Sequence, residues 1–281
     1  MSAEVKVACI QANSGPDIDE NLKQVGSLIR DAAKDDCDFI VTPENTDFMR
    51  ESAGKTIESA MEANKHPGIP FFSFLAKELG IWLLIGSMKI KVDNRQVVNR
   101  SFLFRDTGQL VASYDKIHLF DVDLPNGEKH RESDSVLPGD KAVVVNTPWK
   151  KLGMSICYDV RFPYLYRAMA QREAMMMAVP SAFTAQTGAA HWEVLLRARA
   201  IETGSFILAP AQCGKHEGGR ETFGHSMIIG PWGKVLAEKT EDKPGFISRK
   251  IDLLDAVRAR TAIPSLQHDR TFDFYKTKDM L

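Results

Sequence analysis

Three ionisable side chains stand where apolar runs end. Glu44 follows Phe39-Ile40-Val41-Thr42-Pro43, Lys116 lies in Tyr114-Asp115-Lys116-Ile117-His118-Leu119, and Cys157 closes Lys151-Leu152-Gly153-Met154-Ser155-Ile156-Cys157. A thiol, a carboxylate and an ammonium are the parts of a nucleophilic acyl transfer. A free cysteine has a pKa of about 8.5, so only a few per cent is thiolate at neutral pH. A lysine beside it favours the thiolate, and a carboxylate can take the thiol proton. The same lysine can donate to the oxyanion of a tetrahedral intermediate. The segment around Cys157 by itself admits two readings, a reactive cysteine at a sharp turn or a buried one in the core. Spacing along the chain does not bring the three together; the elements carrying them must.

Lys151 to Cys157 alternates with period two. Leu152, Met154 and Ile156 share one face, and the small Gly153 and Ser155 leave room over the other before Cys157. Pro163 then sits where a first helical turn tolerates proline, so the cysteine falls at a strand-to-helix turn. Val5–Gln11 and Phe39–Thr42 read as buried strands, the second delivering Pro43-Glu44-Asn45. Between them Asp17 opens a helix with apolar spacing at Ile18, Leu22, Val25, Ile29 and Ala33. Residues 46–69 read as a loop with one short helix, followed by a helix Phe71–Leu79 closed by Gly80 and a strand Trp82–Ser87. Val97–Phe104 and Leu110–Tyr114 form a hairpin through Asp106-Thr107-Gly108. Asp115–Asp140 is long, charged and loop-like, and such a loop is commonly functional. After Cys157 come strands Met176–Val179, Phe206–Ala211, His225–Ile229, Val235–Ala237 and Phe246–Ile251, with helices Ala190–Glu202 and Leu254–Arg260. So many strands with so few helices suit two stacked sheets with helices outside, in one α/β domain. Strand ends in such a layered domain converge on one rim, where sites are commonly built.

The 281 residues are 44% hydrophobic and 26% charged with formal net charge −1, an ordinary globular composition. That balance offers nothing to attract nucleic acid or an anionic membrane. No apolar run reaches bilayer-spanning length, and Met1-Ser2-Ala3-Glu4-Val5-Lys6 does not open a signal peptide. Cys9, Cys37, Cys157 and Cys213 are scattered, which argues against a zinc site or a disulfide scaffold and for a reducing cytoplasm.

Thr42-Pro43-Glu44, Tyr114 to Leu119 and Gly153 to Pro163 together resemble the three ordered signatures of the nitrilase superfamily of carbon–nitrogen hydrolases. The resemblance runs from Val5 to about Asp273. It implies a four-layer α-β-β-α sandwich over residues 1–260, and a tail, 261–281, that reaches a dimer interface. It implies Cys157 as nucleophile, Glu44 as general base and Lys116 as oxyanion donor, helped by the backbone N–H of Tyr158. Glu132, in His130-Arg131-Glu132-Ser133, matches the family's additional active-site glutamate and would orient Lys116 or the substrate amine. Neither a metal nor an organic cofactor is implied.

Pro180 to Thr203, Ala211 to His216 and Gly224-His225-Ser226-Met227 resemble the branch of deaminated glutathione amidases. The implied substrate is glutathione with its amino group replaced by a keto group, cleaved to 2-oxoglutarate and cysteinylglycine. An ω-amidase acting on 2-oxoglutaramate, another small amide or nitrile hydrolase, and a non-catalytic binding protein on the same fold remain alternatives. Within this branch Phe183 and Thr187 match positions lining the acyl pocket, and Arg161 is expected to clamp a substrate carboxylate through its planar fork. His191 and His225 read as structural, and Cys9 and Cys37 as core.

Overall fold

A computed structural model describes residues 3–125 and 127–274. In chain order its strands are β1 (Glu4–Gln11), β2 (Phe39–Val41), β3 (Trp82–Lys91), β4 (Val97–Phe104), β5 (Leu110–Asp115), β6 (Asp121–Asp123), β7 (Lys129–Arg131), β8 (Val136–Leu137) and β9 (Val143–Asn146). They continue with β10 (Lys151–Met154), β11 (Ala174–Ala178), β12 (Phe206–Ala209), β13 (Cys213–Lys215), β14 (Glu221–Phe223), β15 (Met227–Ile229), β16 (Val235–Glu238) and β17 (Gly245–Asp252). The helices are α1 (Ile18–Lys34), α2 (Ala53–Ser59), α3 (Gly68–Leu79), α4 (Pro163–Gln171), α5 (Ala185–Thr203) and α6 (Leu254–Ala262).

Two mixed sheets carry the fold. One runs β17-β1-β2-β3-β4-β5 with β8 added beside β4, and the other runs β16-β15-β12-β11-β10-β9. The central strands are apolar on both faces because both faces are covered. In β1, Val5, Val7 and Cys9 point into the core between the sheets, where they join Leu152, Met154 and Met176. Ala8 and Ile10 point the other way, into the layer beneath α1 and α3. α4 and α5 cover the second sheet from outside. This is the four-layer α-β-β-α sandwich.

Local chemistry explains the helix ends. Asp17 caps α1 by accepting from the Glu20 amide, and Leu22, Val25, Ile29 and Ala32 form its buried stripe. Gly80 closes α3 at φ 65°. α5 begins at Ala185, five residues before the apolar pattern suggests, because the Thr184 side chain caps it. Gly188 sits inside this helix for close packing: a Cβ there would lie 2.2 Å from Cβ of Phe223. Asp115–Asp140 is more ordered than a loop, holding the β6–β7 hairpin, a short 3₁₀ turn at Glu132–Asp134 and β8. The room expected over Gly153 and Ser155 is filled by α4: Met169 lies against Gly153, and Tyr166 shares a 2.6 Å hydrogen bond with Ser155.

Beyond residue 260 the chain completes α6 and then lies against α4. Arg167 donates to the Ser265 carbonyl at 2.8 Å, and the Gln171 amide donates to Asp269 at 2.6 Å. The last part of the expected tail, 275–281, is outside the described residues. Among the described residues no helix is long and apolar enough to cross a membrane.

Candidate active site

Glu44 is delivered by a turn pinned onto β3. The Thr42 hydroxyl accepts from the Gly86 amide at 3.0 Å, the Asn45 amide donates to the Ser87 hydroxyl at 2.9 Å, and the Thr46 amide donates to the Ser87 carbonyl at 2.8 Å. The approach needs glycine at 86, since a Cβ there would sit 2.0 Å from the Thr42 carbonyl oxygen. Asn45 takes φ 57°, a conformation asparagine tolerates better than most residues. The Glu44 carboxylate is buried and saturated with donors. Its Oε1 accepts from Lys116 Nζ at 2.9 Å and Asn99 Nδ2 at 2.8 Å, and its Oε2 accepts from the Ala182 amide at 2.9 Å.

Lys116 follows β5, and its ammonium, with a side chain only 2% exposed, bridges two carboxylates. The second is Glu132, whose Oε2 accepts from Nζ at 2.8 Å and from the Phe120 amide at 2.8 Å. On its other oxygen Glu132 meets Asn99 Nδ2 at 3.3 Å and Lys89 Nζ at 3.7 Å. Two buried lysines thus face the buried Glu44 and the partly buried Glu132. Burial would neutralise each group, yet the mutual attraction decides the outcome for three of them. Against burial, Lys116 and Lys89 hold the Glu132 carboxyl down at about 2. Against burial, Lys116 also keeps Glu44 below its ordinary value, and Glu132 and Glu44 together keep Lys116 well above its own. Lys89 differs: burial prevails and lowers its pKa.

Cys157 follows β10 on a 3₁₀ turn, Cys157–Arg161, at φ 49°. A non-glycine residue in that region stores about 1–3 kcal/mol and persists only where its surroundings fix it. Asp159 does the fixing. Its Oδ2 accepts from the Ile156 amide at 2.8 Å and the Tyr114 hydroxyl at 2.6 Å. Its Oδ1 accepts from the His118 amide at 3.0 Å and meets His118 Nδ1 at 2.6 Å. One buried carboxylate therefore ties the turn bearing Cys157 to the segment bearing Lys116. Burial first, and the Glu44 charge second, push the thiol well above its ordinary value, with Lys116 opposing. At rest the sulfur keeps its proton beside an ionised carboxylate.

These groups border one cavity of about 370 Å³, lined by Glu44, Lys116, Glu132 and Cys157 together with Tyr158, Phe183 and Thr187. Tyr158 is the second residue of its turn, where backbone N–H groups lack intrahelical acceptors. Phe183 packs on Trp192 with ring centroids 4.8 Å apart, and the Thr187 hydroxyl pairs with that of Thr184 at 2.8 Å.

Arg161 stands beside the cavity rather than in its lining. Its guanidinium carbon lies 5.7 Å and 5.5 Å from the Tyr158 and Phe183 ring centroids, and its terminal nitrogens lie 3.3 Å from His191 Nδ1. The turn that starts at Cys157 carries residue 161 past the sulfur toward α5. His225 pairs with Glu238 at 2.7 Å and stacks on Phe223. Sequence reasoning missed Lys89, Asn99 and Asp159. The available signal was a polar side chain at an inward position of an otherwise apolar strand, which Lys89 and Asn99 both provide. Among the described residues no group of three His, Cys, Asp or Glu side chains could hold a metal ion.

The sequence profile of carbon–nitrogen hydrolases matches residues 6–261. The chain belongs to the carbon–nitrogen hydrolase family of the nitrilase superfamily, and within it to the cysteine-dependent amidases. It is 39% identical to the deaminated glutathione amidase of Bos taurus over 271 residues, covering 94% of this chain and 81% of that protein. The crystal structure of the C. elegans NitFhit protein superposes with TM-score 0.89 at 34% identity, covering 96% of this chain and 66% of that longer one. The Nesterenkonia sp. AN1 amidase superposes with TM-score 0.78 at 25% identity, covering 92% of this chain and 94% of that one. A variant of that enzyme carries a covalent acetamide adduct on its active-site cysteine.

Proposed function

We propose that this amidase cleaves deaminated glutathione to 2-oxoglutarate and cysteinylglycine. The observation that carries the substrate is the 39% identity, over 94% of the chain, to an amidase of that name. Cys157, Glu44 and Lys116 around one cavity support the chemistry. Cys157 Sγ attacks the amide carbon as Glu44 takes the thiol proton. The oxyanion is held by Lys116 and the Tyr158 N–H, and one such donor is worth roughly 3 kcal/mol. Glu44 passes the proton to the leaving nitrogen, the C–N bond breaks, and a thioester remains. Water then attacks the thioester, Glu44 taking its proton. The C–S bond breaks, the acid leaves, and the sulfur regains its proton. Glu132 holds Lys116 in line, and Phe183 and Thr187 border the acyl chain.

The test is parallel steady-state assay of deaminated glutathione and 2-oxoglutaramate, with Cys157→Ser as control. A higher kcat/KM on deaminated glutathione supports the reading. An equal or reversed preference replaces it with an ω-amidase, and undiminished turnover by Cys157→Ser ends the cysteine mechanism. We also infer a homo-oligomer, for which the exposed Ile201, Trp232 and Ile263 around one cleft supply an apolar face.

A further inference from the structure

Most cations around the cavity are already matched. Arg50 pairs with Glu217 at 3.2 Å, Arg131 pairs with Asp123 at 2.8 Å, Arg220 donates to the Ala182 carbonyl at 3.0 Å, and Lys116 bridges Glu44 and Glu132. Lys89 is different. It borders the cavity, yet is only 9% exposed. Its ammonium makes one ion pair, to Glu132 Oε1 at 3.7 Å, and no hydrogen bond among the described residues. Taking an ammonium out of water is unfavourable, and a strand between two sheets does not need one.

A strand irregularity aims this lysine inward. In β3, Leu84 faces the core between the sheets, while Ile85, Met88 and Ile90 face the layer beneath α1 and α3. Strict alternation from Leu84 would send residue 89 to that outer layer as well. The register with β4 shifts between Ile85 and Met88, across the Gly86-Ser87 pair onto which the Glu44 turn is pinned. The shift reverses the parity, and Lys89 reaches the cavity. Its amide donates to Asp47 Oδ2 at 2.8 Å, and His66 Nε2 lies 3.3 Å from the same oxygen. Directly opposite Lys89 on β4 stands Asn99. The Asn99 Nδ2 donates to Glu44 and to Glu132 Oε1, and its buried Oδ1 has no partner. Lys89 and Asn99 thus converge on the one oxygen of Glu132 that Lys116 and the Phe120 amide leave open.

Charge balance says what the lysine does there. Lys116 lies 2.9 Å from Glu44 and 2.8 Å from Glu132. One ammonium between two carboxylates leaves a negative charge over, and two carboxylates in one site tend to retain a proton between them. A second cation on the far oxygen of Glu132 removes the reason for that proton. The charged groups that face Lys89 are Glu132, Glu44, Lys116 and Asp47. Burial lowers its own proton affinity, so its charge is fullest toward acid pH, where the carboxylates would otherwise take up protons.

We infer that Lys89 is a positioning residue of this amidase: its ammonium on Glu132 Oε1 holds the other oxygen on Lys116 and keeps the carboxylate pair free of a shared proton, so that Glu44 stays available as base. The inference rests on the mechanism proposed above and adds a second cation to it. Lys89 acts through Glu132 rather than on substrate.

The experiment is the pH profile of kcat/KM on deaminated glutathione for the wild type, Lys89→Met, Lys89→Gln, Lys89→Arg, Glu132→Gln and the double variant Lys89→Met/Glu132→Gln. Thermal unfolding shows which variants fold. In both neutral variants the acid limb should move up by roughly one to three pH units, the shift made by one opposite charge within about 4–6 Å, because protons then bind the carboxylate pair at higher pH. Lys89→Arg should return the limb most of the way to the wild type. On the Glu132→Gln background, Lys89→Met should move it by clearly less. An acid limb unmoved in a folded neutral variant overturns the inference. Equal shifts in both backgrounds also overturn it, because Lys89 would then act on Glu44 directly. A raised KM with the limb in place overturns it too, since that is the behaviour of a substrate contact. If the neutral single variants do not fold, the double variant decides: its folding supports the pairing, because no buried charge is left unmatched, and its failure to fold overturns it. If the wild type does not hydrolyse deaminated glutathione, the substrate reading has failed separately, and the same profiles on 2-oxoglutaramate decide the role of Lys89.

Discussion

Replacing Glu44 by glutamine separates two opposite things its carboxylate does to Cys157. In the proposed mechanism it is the base that removes the thiol proton during attack. As a fixed negative charge it disfavours the thiolate at rest, second only to burial and against the pull of Lys116. Glutamine keeps the size and removes the charge. For two unit charges about 4 Å apart at an effective dielectric of about 20, the repulsion removed is about 4 kcal/mol. That is roughly a thousandfold in the acid dissociation constant. Burial is untouched, so the sulfur of the variant should still titrate above a free cysteine, but about three pH units below the wild type. Thiolate absorbance in the ultraviolet, followed against pH, measures this directly. The same titration of Cys157→Ser subtracts Cys9, Cys37 and Cys213. Turnover should move the other way, falling about 10²–10⁴-fold with the loss of the base. A more acidic thiol on a slower enzyme is the expected result. If the Glu44→Gln thiol titrates where the wild type does, or higher, then burial and Lys116 alone set its proton affinity and the reasoning fails.

Glu132→Gln leaves Lys116 with one carboxylate partner and should cost about 10²–10³ in kcat; a change under threefold in steady-state assays would remove Glu132 from the site. The Glu132 carboxyl is held at about 2 in the folded chain, below its unfolded value of about 4.3. Its stabilisation is therefore fully present above about pH 4.3 and is lost as pH falls toward about 2. Urea unfolding across that window should show a smaller acid loss in Glu132→Gln than in the wild type, and parallel curves would contradict the assignment. Asp159→Asn removes a charged acceptor shared by the Tyr114 hydroxyl, His118 and the Ile156 amide. It should cost about 1.5–3 kcal/mol of stability and slow turnover with no direct contact to substrate. Wild-type kcat in a destabilised variant would show that Asp159 holds the fold alone.

The sequence makes the reacting groups legible because each sits where a strand stops. Glu44 and Cys157 follow buried apolar runs and Lys116 follows a strand that is half exposed, and all three lie at strand ends bordering one cavity. Phe39–Val41 and Lys151–Met154 then belong to different sheets stacked face to face, which is how residues so far apart in the chain reach one cavity. Lys89 and Asn99 were hidden by the same alternation, because a polar side chain in a strand ordinarily faces solvent. Here both meet carboxylates: Lys89 Nζ lies 3.7 Å from Glu132, and Asn99 donates to Glu44 at 2.8 Å. The arginines show the sharper limit. Arg161 lies four residues after Cys157, and proximity in sequence made it the natural anion clamp. A 3₁₀ turn advances about 2 Å per residue, and here it sets the guanidinium over the Tyr158 and Phe183 rings. Arg220 reaches the cavity lining through the β13–β14 hairpin, whose strands are only three residues each. Gly214, Gly218, Gly219 and Gly224, all at positive φ, bend the chain there. Glycines specify that a chain turns but not what it turns toward. The side chain they present becomes readable only when its contacts with Ala182 are seen.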